Sequence, residues 1–333
     1  MQRIVLAFSG GAGGAAAIGW LRETRGADVI AVTLDLGQGG DLEVVRDQAL
    51  RHGASRAHVL DLREEFARGF ILRALKADAL YDDRYPLEAA LAWPLIAKAL
   101  DEIAAIEQTS VVAHGGSRPD GATLPLQATI LARNPALTVL QTPAVATNGF
   151  IISRNLWGRS VECGSIEDPW REPPEDLYTL TKSGPECPNE PAYVEVSFEC
   201  GVPIAINGVA MPLVDMIASL TTIAGAHGVG RLDLVDNRPD GRARRIYEAP
   251  AAIVLHTAHK ELAKLVAGRE LERFSRLVRS HYADLIYQGL WFTPLREALD
   301  AFVDKAQERV TGDVRLKLFK GACRTAGRKS RRP

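Results

Sequence analysis

The first 140 residues alternate between short apolar runs and longer amphipathic stretches. Ile4–Phe8 (IVLAF) is cut off by Ser-Gly-Gly, the pattern of a buried strand entering a tight turn. Ala15–Arg25 predicts a helix and Asp28–Asp35 (DVIAVTLD) a second strand. In Leu42–His52, apolar Leu42, Val45, Ala49 and Leu50 recur with charges between them, as on an amphipathic helix. Ala57–Leu60 continues as a strand and Glu64–Leu75 as a helix. Leu87–Ile106 is a long helix rich in Ala and Leu, and Ser110–Ala113 is a fourth strand ending in His-Gly-Gly. This alternation specifies an α/β fold built on a doubly wound parallel sheet. Such sheets bind ligands beyond the carboxyl ends of their strands, where the loops after Phe8 and Ala113 fall.

Beyond residue 140 the pattern breaks. Residues 141–190 are rich in Pro, Gly and Asn with weak periodicity, so 151–192 reads as a connector that also lines the site. Then Val194, Val196 and Phe198 alternate with Glu195, Ser197 and Glu199, a half-exposed strand. Leu213–Ala224, Ala251–Ala267 and Glu270–Gln288 predict helices, and Arg231–Val235 and Asp313–Phe319 predict strands. The expected organisation is a nucleotide-binding-type domain over 1–150, the connector, and an α+β domain over 193–333. The last residues carry Arg324, Arg328, Lys329, Arg331 and Arg332 and read as a solvated, disordered end.

Charge and composition narrow the function. Forty basic and 41 acidic residues leave a net charge of −1, so no global field favours nucleic acid or an anionic membrane. No apolar run approaches the roughly 18 residues of a spanning helix, and the N-terminus lacks a signal-peptide pattern. A soluble, cytoplasmic protein is expected. Cys163, Cys187, Cys200 and Cys323 form no CxxC pair and read as free thiols. His256 and His259 stand three apart on a helix, but no third ligand has suitable spacing, so a structural role is expected and no metal site. Glu162, beside Ser160, suits either a site or an ion pair.

The loop Ser9-Gly10-Gly11-Ala12-Gly13-Gly14-Ala15 follows a strand and opens a helix. Backbone N–H groups converge in such a loop and the helix dipole adds positive charge, so it can cradle a phosphate. It is neither a Walker A loop nor a GxGxxG, and a merely tight turn stays equally open. Gly13 and Gly14 each weaken the first helical turn by about 1 kcal/mol relative to Ala.

Several long strings then carry a resemblance. VTLDLGQGGDLEVVRDQALRHGA (32–54), ADALYDDRYPL (77–87), NLWGRSVECGSIEDPW (155–170), GAHGVGRLDLVDNR (225–238), IYEAPAAIVLHTAHKEL (246–262) and GLWFTPLREALDAFVDKAQERVTGDVRLKLFKG (289–321) make the chain similar to the argininosuccinate synthases over nearly its whole length. The resemblance implies a PP-loop nucleotide-binding domain followed by a synthetase domain. The reaction it implies uses ATP with Mg to adenylate the ureido oxygen of citrulline, after which the amine of aspartate displaces AMP. It places the nucleotide against Ala7, Phe8, Ser9, Gly10, Gly11 and Gly115, and citrulline against Tyr85, Ser160 and Tyr247. Asp236 stands where the family has Glu, and Ser117 where it has Thr.

The departures from that family are concentrated in the loops. Its SGGLDTS has lost Asp, Thr and Ser to Gly13, Gly14 and Ala15. In its second loop, HGxTGKGNDQVRFE, the Asn and Asp that would hold aspartate become Gly121 and Ala122, an Arg becomes Pro125 and the final Glu becomes Gln127. Its GTSLARP reads Glu88 to Pro94, so a Ser is Ala90 and an Arg is Trp93. The expectation is a degenerate paralogue with no residue assigned to catalysis, holding at most a small amino-acid-like ligand and self-associating as a homo-oligomer. Three alternatives stay open: a ligase rebuilt around Glu88, Arg118 and Asp120, an active synthase of the family that tolerates these changes, and an assembly partner of an intact homologue.

Overall fold

Apolar side chains fill both faces of one parallel sheet near the N-terminus. The computed structural model describes residues 2–115, 125–143, 149–238 and 241–331, with the side chains of 12, 236–238 and 241–243 also left out. The chain runs β1 (Arg3–Ala7), α1 (Ala12–Arg25), β2 (Asp28–Asp35), α2 (Leu42–Arg51), β3 (Arg56–Asp61) and α3 (Arg63–Phe66). After α4 (Leu72–Lys76) it continues through α5 (Glu88–Ile106), β4 (Val111–Gly115), α6 (Pro125–Arg133) and β5 (Thr138–Thr142). The strands are all parallel in the order β3-β2-β1-β4-β5, the doubly wound sheet expected. Ile4, Leu6 and Phe8 pack with Ile18 and Leu21 of α1, whereas Val5 faces Leu100 and Ile103 of α5 and Ile130 of α6. Period-two alternation with both faces covered explains the unbroken apolar run of β1. The helix expected over Glu64–Leu75 contains a π-helical segment, Ala67–Ile71, between α3 and α4.

This first compact unit comprises Met1–Phe66, Ala90–Asn148 and Ile286–Thr293. The last piece comes from far along the sequence. Gly289 accepts a hydrogen bond from Thr129 Oγ1 at 2.9 Å, and the Arg133 guanidinium lies 5.6 Å from the Phe292 ring centroid.

The second unit comprises Ala67–Ala89, Gly149–Leu285 and Pro294–Pro333. Its strands are β6 (Ile151–Asn155), β7 (Gly158–Glu162), β8 (Ala192–Glu199), β9 (Val202–Ile206) and β10 (Val209–Ala210), then β11 (Arg231–Arg238), β12 (Gly241–Glu248), β13 (Gly312–Phe319) and β14 (Ala322–Ser330). The helices are α7 (Leu213–Ala226), α8 (Pro250–Val266), α9 (Arg269–Tyr287) and α10 (Pro294–Gln307). The strands form two antiparallel sheets, β11-β12-β7-β6 and β10-β9-β8-β13-β14. This is the α+β architecture expected. Residues 151–162, read from sequence as connector, form the β6–β7 hairpin. Among the described residues, no helix is long and apolar enough to cross a membrane.

The basic tail is a correction. Arg324, Arg328 and Lys329 lie in β14, which pairs with β13 from Phe319↔Ala322 to Gly312↔Ser330, while Arg332 lies outside the described residues. Arg328 engages Glu261, and Arg331 Nη2 lies 2.5 Å from Asp313 Oδ1. Main-chain pairing plus these ion pairs holds what composition alone reads as disorder. The charges also suit an edge strand, where they discourage pairing with another chain.

Candidate functional site

The glycine loop is built by β1 and α1. Gly10 takes φ +81°, a conformation open to glycine, and a Cβ there would come within 3.1 Å of Val45 in α2. Gly11 caps α1 with backbone alone: no side chain accepts from the first turn, and that turn holds no acidic residue. Gly13 has open space where a Cβ would stand, whereas a Cβ on Gly14 would meet the Phe8 ring at 2.7 Å. Ser9 and Gly11 are exposed. Next to this loop β4 ends in buried His114, whose Nδ1 lies 3.2 Å from the Gly115 carbonyl and whose Nε2 has no hydrogen-bond partner. Burial holds the His114 pKa below its usual value. The arrangement offers unpaired backbone N–H groups to an anion at the sheet's switch point.

A second polar cluster lies wholly within the second unit. β12 pairs with β7 so that Tyr247 is opposite Ser160 and Arg245 opposite Glu162. Alternation puts all four side chains on one face. Arg245 Nε lies 3.0 Å from Glu162 Oε1, and its Nη1 donates to Tyr247 Oη at 3.4 Å. The Tyr85 ring stacks on Tyr247 with centroids 4.2 Å apart. Tyr85 closes a turn in which its N–H and carbonyl both bond Tyr81 at 2.9 Å. Leu87, at φ +62°, then directs the chain into α5, whose first residue is Glu88.

Glu88 is 1% exposed. Its Oε1 has no partner. Burial raises the Glu88 pKa above the usual carboxyl value, and burial likewise raises those of Tyr85 and Tyr247. The β6–β7 turn clamps the backbone beneath: Asn155 Nδ2 donates to the Glu88 carbonyl at 2.7 Å and Trp157 Nε1 to that of Pro86 at 3.0 Å.

Comparison with known proteins gives these two constellations a family. The chain matches the arginosuccinate synthase N-terminal HUP domain over residues 3–154 and the C-terminal domain of the same enzyme over 150–333. It is 44% identical to the argininosuccinate synthase of Bacillus thuringiensis, covering 99% of this chain and 88% of that one. Against that of Geobacillus thermodenitrificans the identity is 46%, covering 98% and 86%. The chain belongs to the argininosuccinate synthase family. Among solved structures, a "predicted subunit of tRNA methyltransferase" from Methanocaldococcus jannaschii overlays at 16% identity on 42% of this chain and 69% of its own. Its TM-score of 0.30 is too low to bear on the fold.

Of the residues that resemblance to the argininosuccinate synthases implies for citrulline, Tyr85, Ser160 and Tyr247 converge in the second cluster. Asp236 lies in β11 opposite Ala243, four positions along the ribbon from Leu232, the partner of Tyr247. Ser117, Arg118, Asp120, Gly121 and Ala122 lie outside the described residues. Ala7, Phe8, Ser9, Gly10 and Gly11 share one strand end, with Gly115 on the neighbouring strand. Glu162 is in an ion pair with Arg245, a residue sequence reasoning missed. The Arg-x-Tyr alternation before Glu248 could have revealed it, had β12 been recognised as a strand.

His256 Nδ1 lies 3.0 Å from Asp78 Oδ1 and His259 Nε2 lies 2.8 Å from Gln307 Oε1, both structural pairings. Among the described residues, no three His, Cys, Asp or Glu side chains converge where a metal could sit.

Proposed function

We propose that this chain is an argininosuccinate synthase-like protein that does not ligate citrulline to aspartate. The glycine loop carries this reading. The first turn of α1 supplies no side-chain hydroxyl or carboxylate at Gly13, Gly14 or Ala15, and the Phe8 ring fills the space beside Gly14. On the substrate side, Ala90 and Trp93 replace a hydroxyl and a guanidinium that the family resemblance implies. Each charge-assisted hydrogen bond lost costs about 1.5–3 kcal/mol. Three such losses remove on the order of three decades of affinity. A ligation that depends on positioning two substrates against a nucleotide does not survive that.

Mg·ATP fits this loop only in part. The backbone of Ser9 to Gly11 suits a phosphate, but the first turn of α1 offers no carboxylate for the metal and the loop no hydroxyl beyond Ser9. The scaffold is left for binding or assembly in a self-associated form. Calorimetric titration with millimolar Mg·ATP, paired with a pyrophosphate-release assay on L-citrulline and L-aspartate, tests the reading. We expect no saturable heat and no pyrophosphate. Argininosuccinate in the reaction mixture overturns it.

A further inference from the structure

We propose that residues 78–87 form a strained strap over the polar cluster of the second unit, and that the strap lifts as one piece to open that cluster. The inference goes beyond the reading above and holds whether or not the chain ligates.

The backbone carries the case. Among the described residues nine other than glycine take a positive φ, and four of them, Asp78, Asp82, Asp83 and Leu87, fall in these ten positions. Their φ values are 50°, 51°, 56° and 62°. Aspartate tolerates this left-handed conformation better than most residues, but a bulky leucine does not. At the tip, Tyr81 and Tyr85 exchange backbone hydrogen bonds at 2.9 Å in each direction, and the Arg84 N–H donates to the Tyr81 carbonyl at 3.1 Å. Positive φ at both central residues of such a turn calls for Asn-Gly or Asp-Gly, and this turn holds Asp82-Asp83. Strain of this kind persists only where the surroundings over-determine it.

The surroundings do so at both ends. Asp78 Oδ1 lies 3.0 Å from His256 Nδ1, and its Oδ2 lies 2.9 Å from Arg279 Nη1. At the other end Trp157 Nε1 donates to the Pro86 carbonyl at 3.0 Å and Asn155 Nδ2 to that of Glu88 at 2.7 Å. Between these anchors, Asp82, Asp83 and Arg84 are exposed, and the Tyr85 ring rests on Tyr247 at 4.2 Å. Lifting the strap breaks that stack and the Trp157 bond. It also relaxes the left-handed residues, which offsets part of the loss.

The groups that the strap closes over favour the same motion. Tyr247 is 3% exposed, Ser160 4% and Glu88 1%, so the closed cluster is shut to solvent. Glu88 Oε1 and Arg245 Nε have no hydrogen-bond partner there. A buried polar group left unpaired disfavours the state that holds it, and opening brings water to both atoms.

Native-state hydrogen exchange tests the strap. A short loop lifted off the body of the protein cannot keep its own hydrogen bonds, so the Tyr81 and Tyr85 amides exchange together when it opens. In wild type the two should show equal protection, about 100-fold lower than that of the amides in central strand β13. Urea below the unfolding transition should speed exchange in β13 and leave Tyr81 and Tyr85 within about 2-fold, because a local opening exposes little surface. Asp82→Asn combined with Asp83→Gly places Asn-Gly in the turn and should slow exchange at both tyrosines by about 5-fold.

Protection at Tyr81 and Tyr85 equal to that of β13, with the same urea dependence, means that the segment opens only when the whole unit unfolds, and it overturns the proposal. Unequal protection of the two amides overturns it as well, because the tip then frays instead of lifting. An Asn-Gly tip that leaves exchange unchanged or faster removes the strain on which the proposal stands. None of these readouts involves ATP, citrulline or pyrophosphate, so the loss of ligation is decided separately.

Discussion

At the residue scale, two buried ionisable side chains, His259 and Glu88, make stability depend on pH in opposing directions. Gln307 Nε2 donates to the Lys76 carbonyl at 2.9 Å, so its Oε1 accepts and His259 Nε2 carries the proton. His259 Nδ1 is then a buried lone pair without a partner. Burial lowers the His259 pKa from 6.5 to about 4. The unfolded chain therefore binds the proton first as pH falls. The stability from neutral His259 is full above pH 6.5 and is lost as pH drops toward 4, reaching about 3 kcal/mol.

Glu88 runs the other way. Its raised folded pKa makes its contribution full below the usual carboxyl value and lost as pH climbs through the raised one. Urea unfolding of wild type and His259→Gln between pH 7.5 and 4 separates the two. The variant's stability should fall less steeply over pH 6.5 to 4. Parallel curves would show that His259 is not held neutral.

Elements gain or lose stability through the same glycines that shape the loop. Gly13 and Gly14 both lie in the first turn of α1, yet a Cβ at Gly13 meets nothing within 4 Å while one at Gly14 meets the Phe8 ring at 2.7 Å. Gly13→Ala should stabilise by about 0.5–1 kcal/mol through helix propensity and a less flexible unfolded chain. Gly14→Ala should cost about 1–3 kcal/mol, because buried Phe8 has to leave its packed position. Urea midpoints of the two variants check this, and equal effects would mean that Phe8 yields freely.

The same contrast shows what sequence could reveal. Ile4–Phe8 announced β1 because both faces of the sheet are covered. α1 begins at Ala12, three residues before the Ala15 that the sequence predicts, since glycines read as turn although Gly11 caps the helix through its backbone. β6 and β7, a hairpin among Pro, Gly and Asn, carry little periodicity of their own, and β12, the other partner of β7, lies about 90 residues away and supplies order that no local pattern carries. β14 was hidden by its charges, which suit an edge strand as well as they suit a disordered tail.

At the scale of the whole molecule, the sequence suggests a cut near residue 150, but the compact units interleave. The first unit takes Ile286–Thr293 from the distal part of the chain, and the second takes Ala67–Ala89 from the proximal part. Such borrowing is invisible in a linear reading, because local periodicity reports which face is apolar and not what covers it. In the first unit, Gly289 sits at φ +75° with the Pro125 carbonyl only 2.3 Å from where a Cβ would stand, and its own carbonyl receives the Thr129 hydroxyl. Phe292 packs on the core formed by Val5, Ile30 and Leu100. A fragment ending at residue 150 therefore loses a partly buried ring packed against its core and one of the two acceptors of fully buried Thr129. Deleting a core aromatic costs about 3–5 kcal/mol, a large share of a domain's net stability of roughly 5–15 kcal/mol. The 1–150 fragment should unfold without a sharp thermal transition and bind a hydrophobic dye. Joining residues 286–293 to its C-terminus through a flexible Gly-Ser linker should restore a cooperative transition by circular dichroism. A 1–150 fragment that already melts cooperatively at the full chain's temperature would show that the distal segment decorates this unit rather than completing it.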